Sequence, residues 1–560
     1  MFEPVRVPPT ILIALAAVVL LACGLASSTW HVFGHTWDEP EHIAAGMALV
    51  DRGRYSYDIQ HPPIARVLLA VGPYLAGARS QGSPPPDGKP EGIAILYGGG
   101  HYDLYLSLAR AGVLPFLALL LVTTFLWGRR LMGDGGALLA TGFLASTPAI
   151  LGHAGIATLD VAATATCVYA LYRTERWLGT GRLRDAAWLG LAVGVAVGTK
   201  LSAIPFIGIG GIALILVRLW QRHGRGDVLP RVEALTWTRG ALVAVGLTLV
   251  VLTLAYSGRF VYLTDPTYGY GHAIDFLFGY YGPRHDLALR FFAHCPVPEA
   301  FPLLLGGIEA LVLHNHSGHL SYLFGELRTT GWWYFYLVAL AVKTPLPLLA
   351  LGGGGFGLLV KDGVQDRDGA LLAPALISLG LLGFASAFSH INIGIRHVLV
   401  VYPFLAIAAA YLAVRVLRAQ PRARAGAVVV AVLLCAEAWI AVRTWPDYLA
   451  YFNVLARDPE KVLVDSDLDW GQDLQRLSRR LAERKVASVS LAYLGTAQLP
   501  LEHLPPYTLL GPDQHATGWI AVSALARVHA PERFEWLGAY SRREQVGKTI
   551  DLYFVPPGAP

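Results

Sequence analysis

The sequence predicts a polytopic α-helical membrane protein with a soluble α/β domain at its C-terminal end. Only 15% of the 560 residues are charged, against about 25% in average soluble domains. The mean hydropathy is +0.48, and apolar runs long enough to cross a bilayer recur throughout residues 1–442. Residues 443–560 are more polar and alternate between strand-like and helix-like patterns.

About eleven apolar segments are candidate membrane spans, because a bilayer core of about 30 Å needs about 20 apolar residues per helix. Two long polar loops, 30–104 and 258–331, interrupt the series. The candidate spans are residues 9–29, 105–127, 133–152, 155–172, 185–200, 201–220, 239–257, 332–359, 370–389, 395–417 and 424–442.

Basic residues predict how these spans are oriented. The short loops after the second, fourth, sixth, eighth and tenth spans are rich in Arg and Lys, whereas the opposite short loops contain little beyond Lys200 and Arg396. We therefore expect a cytoplasmic N-terminus, with both long loops and the C-terminal domain outside. Residues 20–23 also fit a lipoprotein cleavage site, but an uncleaved anchor is the favoured interpretation because only Arg6 precedes this span.

Composition also narrows the classes of partner. The net charge is +5 without a concentrated basic patch, so nucleic acid is not a predicted partner, whereas membrane lipids are. The four cysteines are too few and too scattered for a disulfide framework or a thiolate metal site.

The first long loop opens with three acids in four residues, directly after a membrane span: Asp38, Glu39 and Glu41. One acid could cap the amphipathic helix predicted over residues 41–50. Three acids exceed what capping needs, so the sequence favours a functional role here.

A second apolar stretch, residues 64–77, follows the dipeptide Pro62-Pro63. Proline fixes the local backbone and suits the first turn of a helix. We therefore expect a helix at the membrane surface, flanked by His61 and Arg66.

Three further charges lie where a membrane protein should avoid them. Asp160 begins the fourth span, and an acid there must be a helix cap, be paired or face water. Arg396 and His397 begin the tenth span, and Lys343 lies ~16 Å along the eighth at 1.5 Å per residue. Snorkelling to headgroups is the alternative for the cations, but Lys343 is deep, and a lipid-linked phosphate is an anion available there.

The second long loop contains His314, His316 and His319. Three histidines in six residues could bind a metal, but Glu326 is the only acid that could complete such a site. We favour loop or substrate-contact roles, so the predicted cofactor is none, with a divalent metal as the alternative.

The C-terminal domain is predicted to contain strands at 462–464, 486–494 and 519–522 and a helix over 473–484. Three alternating acids in Asp465–Gln472 invite a calcium-loop interpretation. That pattern fails, because Trp470 occupies the glycine position and Arg476 the terminal glutamate position. Helix capping and loop structure are favoured instead.

Together these segments resemble the GT-C fold glycosyltransferases that use polyprenyl-phosphate sugars, a group that includes protein O-mannosyltransferases and the lipid A aminoarabinose transferase. The resemblance runs essentially end to end. The segment His61-Pro62-Pro63-x-x-Arg66 is similar to the mannosyltransferases' HPP-x-x-Lys, with Arg in place of Lys. The other matching segments are Asp38-Glu39, Lys343–Pro347, Gly394–His397 and Asp465–Gln472, the last three being like bacterial members.

The resemblance implies an inverting sugar transfer at the outer face of a bacterial inner (plasma) membrane. The partners would be a polyprenyl-phosphate-linked sugar and a protein, lipid or glycan acceptor. Asp38 would be the general base, with Glu39 or Asp160 assisting, although two adjacent carboxylates leave the choice of base open. The phosphate-binding candidates are Arg396, Lys343, Arg66 and His61, and the substrate-binding candidates are His397, Glu326 and His42.

Two other functions compete with this one. A transporter or flippase of lipid-linked sugars should carry polar residues through the full depth of its spans, whereas the cytoplasmic halves here look largely apolar. An envelope-assembly protein with residues 443–560 as its binding module would leave Asp38 and Lys343 unexplained.

Overall fold

The computed structural model describes residues 7–223, 231–265, 272–279, 281–418, 424–511 and 514–558. In the first half of the chain, the α-helices are α1 Pro9–Ser27, α2 Glu39–Arg52, α3 Pro63–Leu75, α4 Lys89–Tyr97, α5 Tyr102–Ala111, α6 Leu114–Ala145, α7 Pro148–Ala154, α8 Asp160–Thr180, α9 Leu183–Val197, α10 Ala203–His223 and α11 Arg231–Ala255. Those that follow are α12 His272–Phe278, α13 Pro283–Phe292, α14 Ala300–Ser317, α15 Phe335–Lys343, α16 Leu346–Gln365, α17 Gly369–Phe388, α18 Tyr402–Arg418, α19 Arg424–Thr444, α20 Leu474–Glu483 and α21 Ala524–His529.

Within the described residues, seven helical segments are long and apolar enough to cross a membrane, as expected for a multi-pass membrane protein. They are Pro9–Ser27, Tyr102–Ala145, Ala203–His223, Thr236–Ala255, Gly369–Phe388, Ile395–Arg418 and Ala425–Thr444. The other predicted spans also form helices, chiefly α8, α9, α15 and α16. The prediction of a polytopic helical protein is confirmed, whereas the count of eleven crossings stays a prediction.

The two helices predicted in the first long loop are present as α2 and α3, and they pack backbone to backbone. A Cβ atom on Gly46 of α2 would lie 2.0 Å from the carbonyl oxygen of Arg66 on α3. A Cβ atom on Gly92 of α4 would lie 1.8 Å from the carbonyl oxygen of Pro40. Since only glycine allows such approaches, α2 is closely packed by α3 near its middle and by α4 near its N-terminal end.

The strands form two short hairpins and one larger sheet. The strands are β1 Phe260–Val261, β2 Val297–Pro298, β3 Ser321–Leu323, β4 Glu326–Arg328, β5 Val489–Ala492, β6 Tyr507–Leu509, β7 Gly518–Ser523, β8 Arg542–Val546 and β9 Ile550–Val555. The larger sheet has the order β6-β5-β7-β9-β8. Strands β6, β5 and β7 run parallel to one another. Strand β9 runs antiparallel to β7, and β8 runs antiparallel to β9. Helix α20 buries Leu474, Leu477 and Leu481 in the adjoining core.

This sheet and helix confirm the predicted α/β character of the C-terminal region. The prediction of a strand at 462–464 was wrong, because these residues do not form one. Leu463 and Val464 are buried without joining the sheet, and a short 3₁₀ turn, Asp465–Asp467, follows them. Three consecutive apolar residues show too little periodicity to separate a strand from a buried turn.

Lys343 fastens this C-terminal region to the membrane helices. Its side chain is fully buried, and Nζ donates to the carbonyl oxygens of Leu449 (2.8 Å) and Asp467 (2.5 Å). The same Nζ lies 4.2 Å from the ring centre of Phe452. The Asp467 carboxylate in turn accepts the backbone N–H of Ile395 at 3.1 Å. The deep cation singled out in the sequence is therefore a docking contact.

We expect Lys343→Met to loosen this docking, because two buried carbonyl groups lose a charged donor and each such bond contributes about 1.5–3 kcal/mol. The measurement is hydrogen exchange across residues 463–469, which should become faster. Lys461→Met is the matched control, since Lys461 is largely exposed and pairs with Asp458 at 2.9 Å. Equal exchange rates in the two variants would contradict the docking role.

Candidate active site

A cavity of about 960 Å³ lies where the first long loop, the ends of several membrane helices and the C-terminal domain meet. Its charged and polar wall includes Asp38, His42, His61, Asp160, Lys200, Arg396, His397, Asp465 and Trp470. Its apolar wall includes Leu201, Phe206, Leu311, Val312, Phe384 and Phe388. The cavity is therefore lined by both charged and apolar side chains.

Asp38 and Arg396, which are more than 350 residues apart in sequence, form an ion pair in this wall. Arg396 Nη1 lies 2.7 Å from Asp38 Oδ2, and the side chains are 9% and 23% exposed. Asp38 occupies the residue before α2, yet its side chain makes no capping hydrogen bond. Capping therefore does not account for Asp38, and its carboxylate is directed to the cavity.

Asp160 and Lys200 continue this pair into a chain of four charges. Lys200 Nζ lies 2.7 Å from Asp160 Oδ1, and Asp160 Oδ2 lies 3.9 Å from Arg396 Nη1. Lys200 was not among the predicted site residues. Its isolation at an outward turn between two spans was the signal that could have identified it.

Within the described part of the chain, two buried atoms of this cluster have no hydrogen-bond partner: Arg396 Nε and Asp160 Oδ2. Buried polar atoms are normally satisfied. An unused guanidinium N–H beside a cavity is a donor that a ligand oxygen can use.

Glu39 takes a different role from its neighbour Asp38. It is fully buried and does not line the cavity. Arg110 Nε and Nη2 bind its two carboxylate oxygens at 2.8 and 2.9 Å, and the backbone amides of Thr36 and Ala157 donate at 2.7 and 2.6 Å. With both of its oxygens occupied, Glu39 holds the loop that carries Asp38, and its predicted assisting role stays a prediction.

Arg66 also lies behind the cavity wall. Its fully buried guanidinium binds the Asp58 carboxylate, the Tyr55 hydroxyl at 2.8 Å and the His42 ring. Arg66 is absent from the cavity lining, so the expected phosphate contact is replaced by a structural one.

The imidazoles of His61 and His42 do line the cavity, with ring centres 5.6 Å apart. Burial lowers the pKa of His61 to about 4, and burial together with Arg66 lowers the pKa of His42 well below its ordinary value. Both rings are therefore neutral near pH 7 and can offer hydrogen bonds, but not positive charge, to a ligand in the cavity.

Of the two remaining predicted substrate-binding residues, one lines the cavity and the other does not. His397 lines the cavity, where its ring stacks on Tyr336 at 6.3 Å between centres. Glu326 lies on the β3–β4 hairpin, exposed and paired with Arg328 at 2.6 Å, and it is outside the cavity. Structure therefore places His397, but not Glu326, at the candidate site.

The three histidines of the second long loop also face the cavity, from the end of α14 and the residues after it. They are His314, His316 and His319. In the portion of the chain that the structure describes, no group of three or more His, Cys, Asp or Glu side chains is arranged to hold a metal ion. The prediction of no cofactor stays a prediction.

Comparison with solved structures identifies the fold of this chain. The chain superposes on a protein O-mannosyltransferase of the S. cerevisiae Pmt1–Pmt2 complex bound to its sugar donor, with a TM-score of 0.51, 12% identity, and coverage of 79% of this chain and 90% of the other. The chain has the GT-C fold. This fold was predicted from the sequence, and the comparison confirms it.

A second solved structure of similar kind is ArnT from Cupriavidus metallidurans bound to undecaprenyl phosphate. It matches over 98% of this chain and 99% of its own, with 15% identity and a TM-score of 0.49. No family model and no curated protein matches the sequence. The likeness is thus one of fold.

We expect Glu39→Gln to lower stability by about 3–5 kcal/mol, because it leaves the buried Arg110 charge unpaired. Burial alone would raise the pKa of Glu39, but Arg110 and the backbone amides bring this pKa below its ordinary value. The carboxylate therefore stabilises the fold fully above its unfolded pKa of about 4.3. That stabilisation is lost as the pH falls through the lower, folded value.

Thermal unfolding in detergent, followed from about pH 7 down to about pH 3, measures this effect. The gap between wild type and Glu39→Gln should be full at neutral pH and should narrow as the pH falls below about 4.3. Glu41→Gln serves as the control, because Glu41 is only partly buried and pairs with Lys89 at 3.2 Å. A gap that persists unchanged at low pH would exclude the ionic origin.

Proposed function

We propose that the protein is an inverting glycosyltransferase that moves a sugar from a polyprenyl-phosphate donor to an acceptor hydroxyl. The observation that carries this proposal is the direct pairing of Asp38 with Arg396 in a cavity that is lined by both charged and apolar side chains. A GT-C fold agrees with this activity, and the O-mannosyltransferase neighbour was solved with its sugar donor bound.

The donor phosphate would bind at Arg396 and Lys200. Arg396 offers a buried N–H without a partner among the described residues, and charge-assisted hydrogen bonds to phosphate are roughly twice as strong as neutral ones. Lys200 adds a second positive charge beside Asp160. Two cations can stabilise the negative charge that develops on a departing monophosphate, which is the main catalytic requirement of such a site.

The lipid tail would lie against the apolar side chains of the cavity. Leu311 and Val312 of α14 and Phe384 and Phe388 of α17 all line it. Val312 and Phe388 are 58% and 63% exposed. Apolar side chains that line the cavity and remain exposed suit contact with a polyprenyl chain.

Asp38 would act as the general base. The acceptor oxygen forms a bond to the anomeric carbon from the face opposite the phosphate, and the Asp38 carboxylate takes the hydroxyl proton. The bond between the anomeric carbon and the phosphate oxygen breaks, and its electron pair stays on the polyprenyl phosphate. Attack from the opposite face inverts the anomeric configuration. Asp160 holds Lys200 and Arg396 in place during this step.

The reaction would take place on the extracytoplasmic face of a bacterial plasma membrane. The distribution of basic residues supports this sidedness, because Arg and Lys concentrate in the loops on the other side. The acceptor would be a protein, lipid or glycan hydroxyl reaching Asp38 from the outer aqueous phase.

We expect Asp38→Asn to reduce transfer by about 10²–10⁴-fold, the usual contribution of a general base. The measurement is mass spectrometry of envelope glycans, glycolipids and glycoproteins from cells that carry the wild-type or variant gene. Asp51→Asn, in the helix α2 that follows Asp38, is the matched control and should preserve the product. Full product formation by folded Asp38→Asn would refute the role of base.

We expect Arg396→Gln and Lys200→Gln to weaken the binding of undecaprenyl phosphate by about tenfold or more, because each removes a charged donor worth about 1.5–3 kcal/mol. The measurement is titration of the purified variants in lipid nanodiscs. Arg328→Gln, which changes an exposed hairpin arginine, should bind as wild type does. Unchanged affinity in Arg396→Gln would refute the phosphate site.

A further inference from the structure

We infer that Trp470 of the C-terminal domain is a positioning residue that fixes Asp38 and Arg396 relative to each other. This inference rests on the proposed function and assigns a role to a residue that touches neither the acceptor proton nor the phosphate in the proposed mechanism. Two separate contacts of Trp470 carry it, one made by its ring and one by its backbone.

The ring of Trp470 lies against the guanidinium of Arg396. The guanidinium carbon is 4.3 Å from the ring centre, within the distance at which a cation is attracted to an aromatic face. Both side chains are largely buried, and Trp470 packs with Trp37, Ile156 and Leu449 behind it. A ring held in this way keeps one face of the guanidinium covered and leaves its N–H edge for Asp38 and for a phosphate.

The backbone of the same residue holds the loop that carries the base. The Trp37 N–H, immediately before Asp38, donates to the Trp470 carbonyl oxygen at 3.1 Å. Two residues further on, the Gln472 carbonyl oxygen accepts the Gly34 N–H at 3.0 Å. Residues 470–472 therefore pair with the first long loop on one side while the Trp470 ring meets Arg396 on the other.

The loop around Trp470 is itself held firmly enough to position its neighbours. The Asp469 carboxylate accepts the N–H groups of Gly471 at 3.1 Å and Leu525 at 2.8 Å. The Gln472 side chain accepts the Trp470 N–H at 2.7 Å. Gly471 has a φ of 88°, a conformation that glycine adopts without strain. These contacts join the loop to the sheet domain, so the position of the ring follows that of the domain.

The sharpest test changes the electrostatics of the ring without changing its shape. Tryptophans with one to four ring fluorines, incorporated at position 470, progressively weaken the negative charge of the aromatic face. We expect affinity for undecaprenyl phosphate to fall stepwise, by about 2- to 30-fold across the series, as follows from about 0.5–2 kcal/mol for a cation–aromatic contact. The same series should have no effect in an Arg396→Gln background.

Trp519 provides the matched control. It lies in β7 of the same domain, and its ring centre is 5.7 Å from the Arg484 guanidinium, but it does not line the cavity. Fluorination at position 519 should leave the affinity unchanged. If all proteins fluorinated at position 470 bind undecaprenyl phosphate with the wild-type affinity, the inference is overturned, while the proposed function stays in place.

A second measurement does not depend on the donor. A double-mutant cycle in thermal unfolding combines Trp470→Leu with Arg396→Gln, and Trp470→Phe should recover most of the loss caused by Trp470→Leu. We expect the two sites to be coupled, so that the double variant is less destabilised than the sum of the single variants. Additive effects would overturn the inference, whereas wild-type protein that fails to bind undecaprenyl phosphate would overturn the donor assignment alone.

Discussion

Burial of charge at a membrane boundary is the constraint on which this structure depends. An ion removed from water is costly unless a partner of opposite charge lies beside it with good hydrogen-bond geometry. The chain Asp38–Arg396–Asp160–Lys200 satisfies that demand within one cavity wall. Its members come from the first long loop and from the ends of three further segments, so the charges can meet only when those segments are packed together.

Adjacent acids serve different purposes in this arrangement. Asp38 faces the cavity, whereas Glu39 is directed inward to Arg110. Successive residues at the start of a helix point in directions about 100° apart, so one carboxylate can be exposed to a ligand while the next is fully enclosed. The inner pair, Glu39 with Arg110, holds the backbone, and the outer pair, Asp38 with Arg396, lines the cavity.

Sequence reasoning predicted the elements well, because hydropathy and helix signals are local. Helices α2 and α3, the apolar helices and α20 all lie where apolar periodicity placed them. The association of Asp38, Asp160 and Arg396 was also anticipated, since all three were placed at the outward ends of spans. The α/β region was recognised from its alternating pattern, although one of its predicted strands is a buried turn.

Sequence patterns alone could not distinguish the charged side chains that make structural contacts from those that line the cavity. Lys343, Arg66 and Glu39 stand out in sequence for the same reason as Arg396: each is a charge near a membrane. Only the direction of each side chain distinguishes them, and that direction depends on contacts such as Lys343 with Leu449, made across more than 100 residues. Periodicity carries no information about such distant pairings.

The backbone pairing between residues 34–37 and residues 470–472 has a consequence for biosynthesis. The ribosome makes the first member of this pairing early and the second only after every apolar helix has been synthesised. Chains that are prematurely terminated or still in synthesis thus lack one side of the cavity. The complete cavity therefore forms only after residues 470–472 have been synthesised.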